Sequence, residues 1–184
     1  LVTVPAGASY SSISVAANNL VGYSSQPFLV TFPNGGSITP SSFTSDLVIN
    51  TGNDVLPFGA VASDFDGDGK TDVGILKLNN PVSVPPGVLV YRNTGTGVQF
   101  AFTLAAELAG GYESIAAADF DGDGKPDIVM TAGSNFMIYL NSSTPGNISF
   151  QPVITLSNSY SPGRLCVADV DGDGKTDLIT NNSP

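Results

Sequence analysis

One nine-residue pattern occurs three times in this chain, and it constrains the fold more than any other feature. Asp64-Phe65-Asp66-Gly67-Asp68-Gly69-Lys70-Thr71-Asp72 recurs as Asp119-Phe120-Asp121-Gly122-Asp123-Gly124-Lys125-Pro126-Asp127 and as Asp169-Val170-Asp171-Gly172-Asp173-Gly174-Lys175-Thr176-Asp177. The first Asp residues lie 55 and then 50 residues apart. A repeat of this period marks a series of similar supersecondary units, each too small to bury its own apolar surface.

The flanks repeat as well. A small apolar run precedes each loop: Ala60 to Ser63, Ile115 to Ala118, Leu165 to Ala168. A β-rich run follows each: Val73 to Leu78, Ile128 to Thr131, Leu178 to Thr180. A third strand comes next, Val88 to Tyr91 and Phe136 to Leu140, closed by Asn93 and Asn141. A fourth follows at Phe100 to Leu104 and Phe150 to Leu156. Gly, Pro and Asn clusters separate these runs as strand punctuation does, and helical periodicity is absent. Four short strands in about fifty residues is the pattern of a β-propeller blade. The expected fold is therefore all-β, with blades of four antiparallel strands. Ala60, Ala62, Ala116, Ala117, Ala118 and Ala168 suit an innermost strand crowded against a central axis.

On this pattern, residues 35–184 hold the repeats: a part-blade at 40–50, blades at about 58–105 and 112–157, and a part-blade at 162–184. Phe43 to Ile49 resembles the fourth strands. A closed propeller needs at least four blades, so the reading is of an incomplete one. Residues 1–34 are different. Val2 to Pro5, Ser12 to Ala16 and Pro27 to Phe32 read as strands without Asp residues, and Pro33-Asn34-Gly35-Gly36 as a turn or linker. The chain opens at Leu1 without a signal-peptide pattern, as a piece of a longer protein would.

The net charge of −10 is a property of the loops. Twelve of the 16 acidic residues lie in them, against Lys70, Lys125 and Lys175. Four carboxylates within nine residues repel one another unless a cation sits among them. There is no basic patch for nucleic acid, and no apolar run long enough for a membrane span. His is absent and Cys166 is the only cysteine, so zinc has no ligand set and an internal disulfide is excluded. Leu165 and Val167 beside Cys166 predict a strand that buries the thiol as a small apolar residue.

Hard oxygens at this spacing suit Ca²⁺, which takes six to eight of them. In the first loop, Asp64, Asp66 and Asp68 are the expected carboxylate ligands. Lys70 offers its main-chain carbonyl while its ammonium faces water, and Asp72 closes the shell. The corresponding sets are Asp119, Asp121, Asp123, Lys125 and Asp127, and Asp169, Asp171, Asp173, Lys175 and Asp177, for three ions in all. Paired glycines allow the tight coil by accepting positive φ. Phe65, Phe120 and Val170 point away and are expected to anchor each loop. An EF-hand needs Glu at position twelve and flanking helices. Ile75, Met130 and Thr180 stand there instead, so that motif is rejected.

These residues resemble the FG-GAP/VCBS repeat family, known from integrin α-subunit propellers and many bacterial surface and secreted proteins. Phe58-Gly59 before the first loop also fits the family's name, whereas Tyr112-Glu113 and Pro162-Gly163 stand near the equivalent places. The resemblance covers about residues 40–184 and implies a propeller with Ca²⁺ between the first two strands of each blade. Residues 1–32 resemble the end of an immunoglobulin-like TIG/IPT domain through Val2 to Ala8 and Phe28 to Phe32.

The expected function is a calcium-stabilised structural or adhesive module, extracellular or at the cell surface of a bacterium. Its partners would be calcium, other copies joined through open blade edges, or surface glycans and proteins. The alternative is a carbohydrate-binding module using Tyr91, Tyr112, Tyr139 and Tyr160. Catalysis is not expected: Glu107 and Glu113 read as solvated turn residues, and Ser-His or Cys-His chemistry lacks its base.

Overall fold

The computed structural model describes residues 11–17, 20–28, 48–52, 55–78, 85–96, 100–111 and 113–183. They form an all-β chain of twelve strands with no helix among the described residues. The chain divides into two units, Leu1–Leu47 and Val48–Pro184.

In the first unit, β1 (Ser11–Ala17) and β2 (Leu20–Phe28) pair as an antiparallel hairpin, with Ala17 opposite Leu20. The expected strand at 12–16 is thus present, and of the expected strand at 27–32, Pro27 and Phe28 belong to β2 while the rest lies outside the described residues. Val2 to Pro5 and the linker at 33–36 lie outside the described residues. So does most of the fourth-strand-like segment 43–49, of which Val48 and Ile49 are described and belong to no strand.

The second unit carries the blades. β3 (Leu56–Ser63), β4 (Asp72–Leu78), β5 (Gly87–Asn93) and β6 (Phe102–Ala109) form a four-stranded antiparallel sheet in chain order, blade one. β7 (Ser114–Ala118), β8 (Asp127–Ala132), β9 (Asn135–Tyr139) and β10 (Ile154–Ser157) repeat it as blade two. β11 (Ser161–Ala168) and β12 (Asp177–Ser183) pair as the first two strands of a third unit. The described strands close no ring.

Each blade's first strand meets its neighbour's: β3 contacts β7, and β7 contacts β11. Small residues permit this approach. A side chain on Gly59 would reach to 3.5 Å from Ile115 Cγ2. Behind these strands the two blades bury one apolar core. Leu76, Val88, Val90 and Leu108 of blade one pack with Ile128, Met130 and Tyr139 of blade two, and with Phe65 and Ile148 from connecting loops. Gly74 lies in this interface, where an added Cβ would sit 3.0 Å from a Val61 methyl. On the outer face of blade one, Ile49, Val55, Val73 and Phe102 pack over Ile75, Leu89 and Tyr91.

The fourth strands differ most from the sequence reading. β6 begins at Phe102 and continues through Ala105-Ala106-Glu107, residues with weak strand preference. Pairing with β5 holds them extended, with a bulge at Val90/Tyr91. Glu107 is therefore a strand residue rather than a turn residue, and it accepts a 3.3 Å ion pair from Lys77, itself buried. β10 begins only at Ile154, because Phe150 bridges Asn141 and turns its ring toward blade one. Cys166 is exposed, against expectation. β11 alternates, so Leu165 and Val167 are half-buried while Cys166 points to the face that no described residue covers.

Candidate metal centre

Each Asp-rich loop joins a blade's first strand to its second: β3 to β4, β7 to β8, β11 to β12. The coil is built by carboxylates accepting their own loop's N–H groups. In the first loop Asp64 Oδ1 accepts from Gly67 and Asp68, at 2.8 and 3.1 Å, and Asp64 Oδ2 accepts from Gly69 at 2.8 Å. Asp66 Oδ1 accepts from Asp68, and Asp68 Oδ1 from Lys70. The second and third loops repeat these bonds except the one from the Asp68 N–H to Asp64. Such a coil needs left-handed backbone, and the two glycines of the first loop supply it with φ of 72° and 85°.

The coil gathers three of each loop's four carboxylates. Asp64, Asp66 and Asp72 bring one oxygen apiece within 4.8 Å of one another. Asp119, Asp121 and Asp127 do the same, as do Asp169, Asp171 and Asp177. The fifth-position residues Asp68, Asp123 and Asp173 stand outside these triads. They take the ammonium groups of Lys70, Lys125 and Lys175 at 3.5, 3.6 and 3.0 Å. Those ammonium groups are thus paired within the loop rather than directed only to water.

The ninth-position Asp is the anchor of the centre. Asp72 is fully buried; its Oδ2 accepts the Phe65 N–H at 2.9 Å and its Oδ1 the Asn93 N–H at 2.8 Å. Asp127 accepts from Phe120 and Asn141 in the same way. Asn93 and Asn141 then turn their amides back to the loop carbonyls of Thr71 and Pro126. The sequence repeats this Asn at the end of each third strand, and that repetition is the signal for its role of tying the ninth-position carboxyl to the loop. Burial pushes the Asp72 and Asp127 carboxyls above their ordinary range. Their neighbours, Asp66 and Asp64 in one loop and Asp121 and Asp119 in the other, push the same way, against the hydrogen bonds.

The donor set fits a hard divalent cation. Every converging group is a carboxylate, and the two oxygens of Asp72 and of Asp127 each accept one hydrogen bond, which leaves a second lone pair on each. A cation between these carboxyls would oppose the upward displacement that burial and mutual repulsion cause.

The three loops differ in what covers them. Phe65 is 1 % exposed and meets Phe150 of the β9–β10 connection edge to face, with ring centroids 5.9 Å apart. The same connection donates from Gly146 N–H to Asp66 Oδ2 at 3.0 Å, and Asn141 Nδ2 donates to the Phe65 carbonyl at 2.9 Å. Arg92, which no repeat pattern singles out, donates to Asp66 and Asp68. Burial alone would raise the Asp66 carboxyl. Arg92 and the N–H groups of Asp68 and Gly146 outweigh it and hold that carboxyl below the ordinary range. Phe120 is half-buried, whereas Val170 is 66 % exposed and anchors its loop to no described residue, contrary to expectation.

Two of the four tyrosines expected as a sugar platform are not at the surface. Tyr91 and Tyr139 are buried, and the Tyr139 hydroxyl donates to the Ala109 carbonyl at 2.9 Å. Tyr160 is exposed, and Tyr112 lies outside the described residues. No helix among the described residues is long and apolar enough to cross a membrane.

A family model described as FG-GAP-like repeat matches the chain twice, over residues 64–130 and residues 119–180. No curated protein matches it.

Proposed function

The chain belongs to the FG-GAP-like repeat family, and on that premise we propose that its three loops bind Ca²⁺ and so stabilise a structural and adhesive module of an extracellular or cell-surface protein. The observation that carries this reading is the convergence of three carboxylates in each loop, in the same register, three times. An ion there would relieve repulsion between groups that are otherwise buried or crowded together. Asp64, Asp66 and Asp72 would hold it in the first loop, and the corresponding triads in the others. Calcium suits the site better than magnesium, because flexible all-oxygen shells favour the larger ion. Asp68, Asp123 and Asp173 and the carbonyls of Lys70, Lys125 and Lys175 complete the proposed ligand sets.

The module is proposed as non-catalytic, since Glu107 is engaged by Lys77. Its partner classes are other copies of the chain and surface proteins or glycans. The β1–β2 hairpin is assigned on the same terms to an immunoglobulin-like segment of the TIG/IPT type, and the loops to the VCBS kind of repeat.

Calorimetric melting tests the calcium reading. A site that binds only the folded state adds about 2.7 kcal/mol when free calcium is one hundred times Kd. For a chain of this size that corresponds to roughly 5–10 °C in Tm per filled site. Excess EGTA is expected to lower the midpoint by at least that amount; an unchanged midpoint would sink the proposal.

A further inference from the structure

The first loop holds an arginine where the second has none. Val73 pairs with Tyr91 in blade one and Ile128 with Tyr139 in blade two, so Arg92 and Leu140 occupy the same place in the two blades. From there Arg92 Nε donates to Asp66 Oδ2 at 2.5 Å and Nη2 to Asp68 Oδ2 at 2.6 Å. The Asp66 side chain is wholly buried beneath it. Because Asp66 Oδ2 also accepts the Gly146 N–H, both of its lone pairs are taken. Asp66 is one of the converging triad.

A guanidinium keeps its charge at any ordinary pH and holds carboxylates through a planar fork. A cation entering the first loop therefore meets a fixed positive charge and a carboxylate left with one open lone pair, on Oδ1, whose other lone pair takes the Asp68 N–H. In the second loop Leu140 brings neither obstacle. Resting on the calcium reading above, we propose that Arg92 is a built-in counter-cation of the first loop. It keeps that loop coiled without metal and makes it a weaker calcium site than the second loop, so the two fill at different calcium concentrations.

Isothermal titration of the full chain with calcium chloride tests this, one loop at a time. Asp119→Asn with Asp169→Asn leaves the first loop able to bind; Asp64→Asn with Asp169→Asn leaves the second. The first loop is expected to bind at least about tenfold more weakly than the second, on the Coulomb term of one added positive charge. Arg92→Leu in the first background should tighten binding by about tenfold, and Leu140→Arg in the second should weaken it to a similar degree. Arg92→Lys, which keeps the charge, should stay weak. Circular dichroism checks folding in each case, and if Arg92→Leu does not fold without metal, the Leu140→Arg arm decides. Calcium bound no more tightly by Arg92→Leu, or Leu140→Arg without effect, overturns the inference while the second loop's binding keeps the calcium reading. Absence of calcium binding in both backgrounds overturns both.

Discussion

The first and second loops differ within their nine positions only at Thr71 and Pro126, yet they occupy different environments. Asp66 is buried, held by Arg92 and by Gly146 of the next blade, whereas its counterpart Asp121 is exposed. Phe65 lies in the core between blades, while Phe120 is half-buried. The motif thus specifies the coil and the converging carboxylates. What surrounds it comes from residues outside the motif. The third loop extends the series, with Val170 exposed and the triad mostly so.

The widest separation between the loops should appear at their second positions. Phe65→Ala is expected to cost about 3–5 kcal/mol, the range for truncating a buried aromatic. Val170→Ala should stay within about 0.5 kcal/mol, as exposed substitutions do. Urea unfolding in excess calcium measures both, and equal costs would erase the contrast between a covered and an uncovered loop. A smaller gap should separate the two third-strand asparagines. Asn141→Ala removes donors to both Pro126 and Phe65, and should cost about 1–3 kcal/mol by the same measurement. Asn93→Ala, whose amide stays within its own blade, should cost less. A larger loss for Asn93 would show that the bond across the blades is not what distinguishes them. Smallest of all, Lys175→Ala should change the unfolding free energy by no more than about 0.5 kcal/mol, because the side chain is 83 % exposed. A clear loss there would mean that the third loop depends on its lysine in a way the first, with Arg92, does not.

Much of this was legible in the repeat. Repeated apolar runs between Gly, Pro and Asn clusters placed the first three strands of each blade, and the Asp-Gly-Asp-Gly spacing placed the coil. Those features are local, and local sequence decides them. What the sequence could not show was which faces are covered. Cys166 reads as buried because Leu165 and Val167 are apolar, but strand alternation sends it to the opposite face. Tyr91 and Tyr139 read as edge aromatics; Tyr139 is buried in the core between the blades, and Tyr91 beneath the apolar cluster on the outer face of blade one. Arg92 carries no repeat signal, since Leu140 stands at its equivalent place. Its role depends on a contact 26 residues back along the chain. The extension of β6 through Ala105 and Glu107 likewise comes from pairing with β5 rather than from intrinsic preference.

The reach of blade two into the first loop also bears on the order of folding. The bonds from Asn141 and Gly146 span 76 and 80 residues, against seven or fewer for bonds inside the coil. Closing a long loop carries a larger entropy cost, and such contacts form late. During synthesis the first loop emerges before either partner residue exists. Its final enclosure must therefore await blade two, and the earliest-made motif becomes one of the last to be sealed.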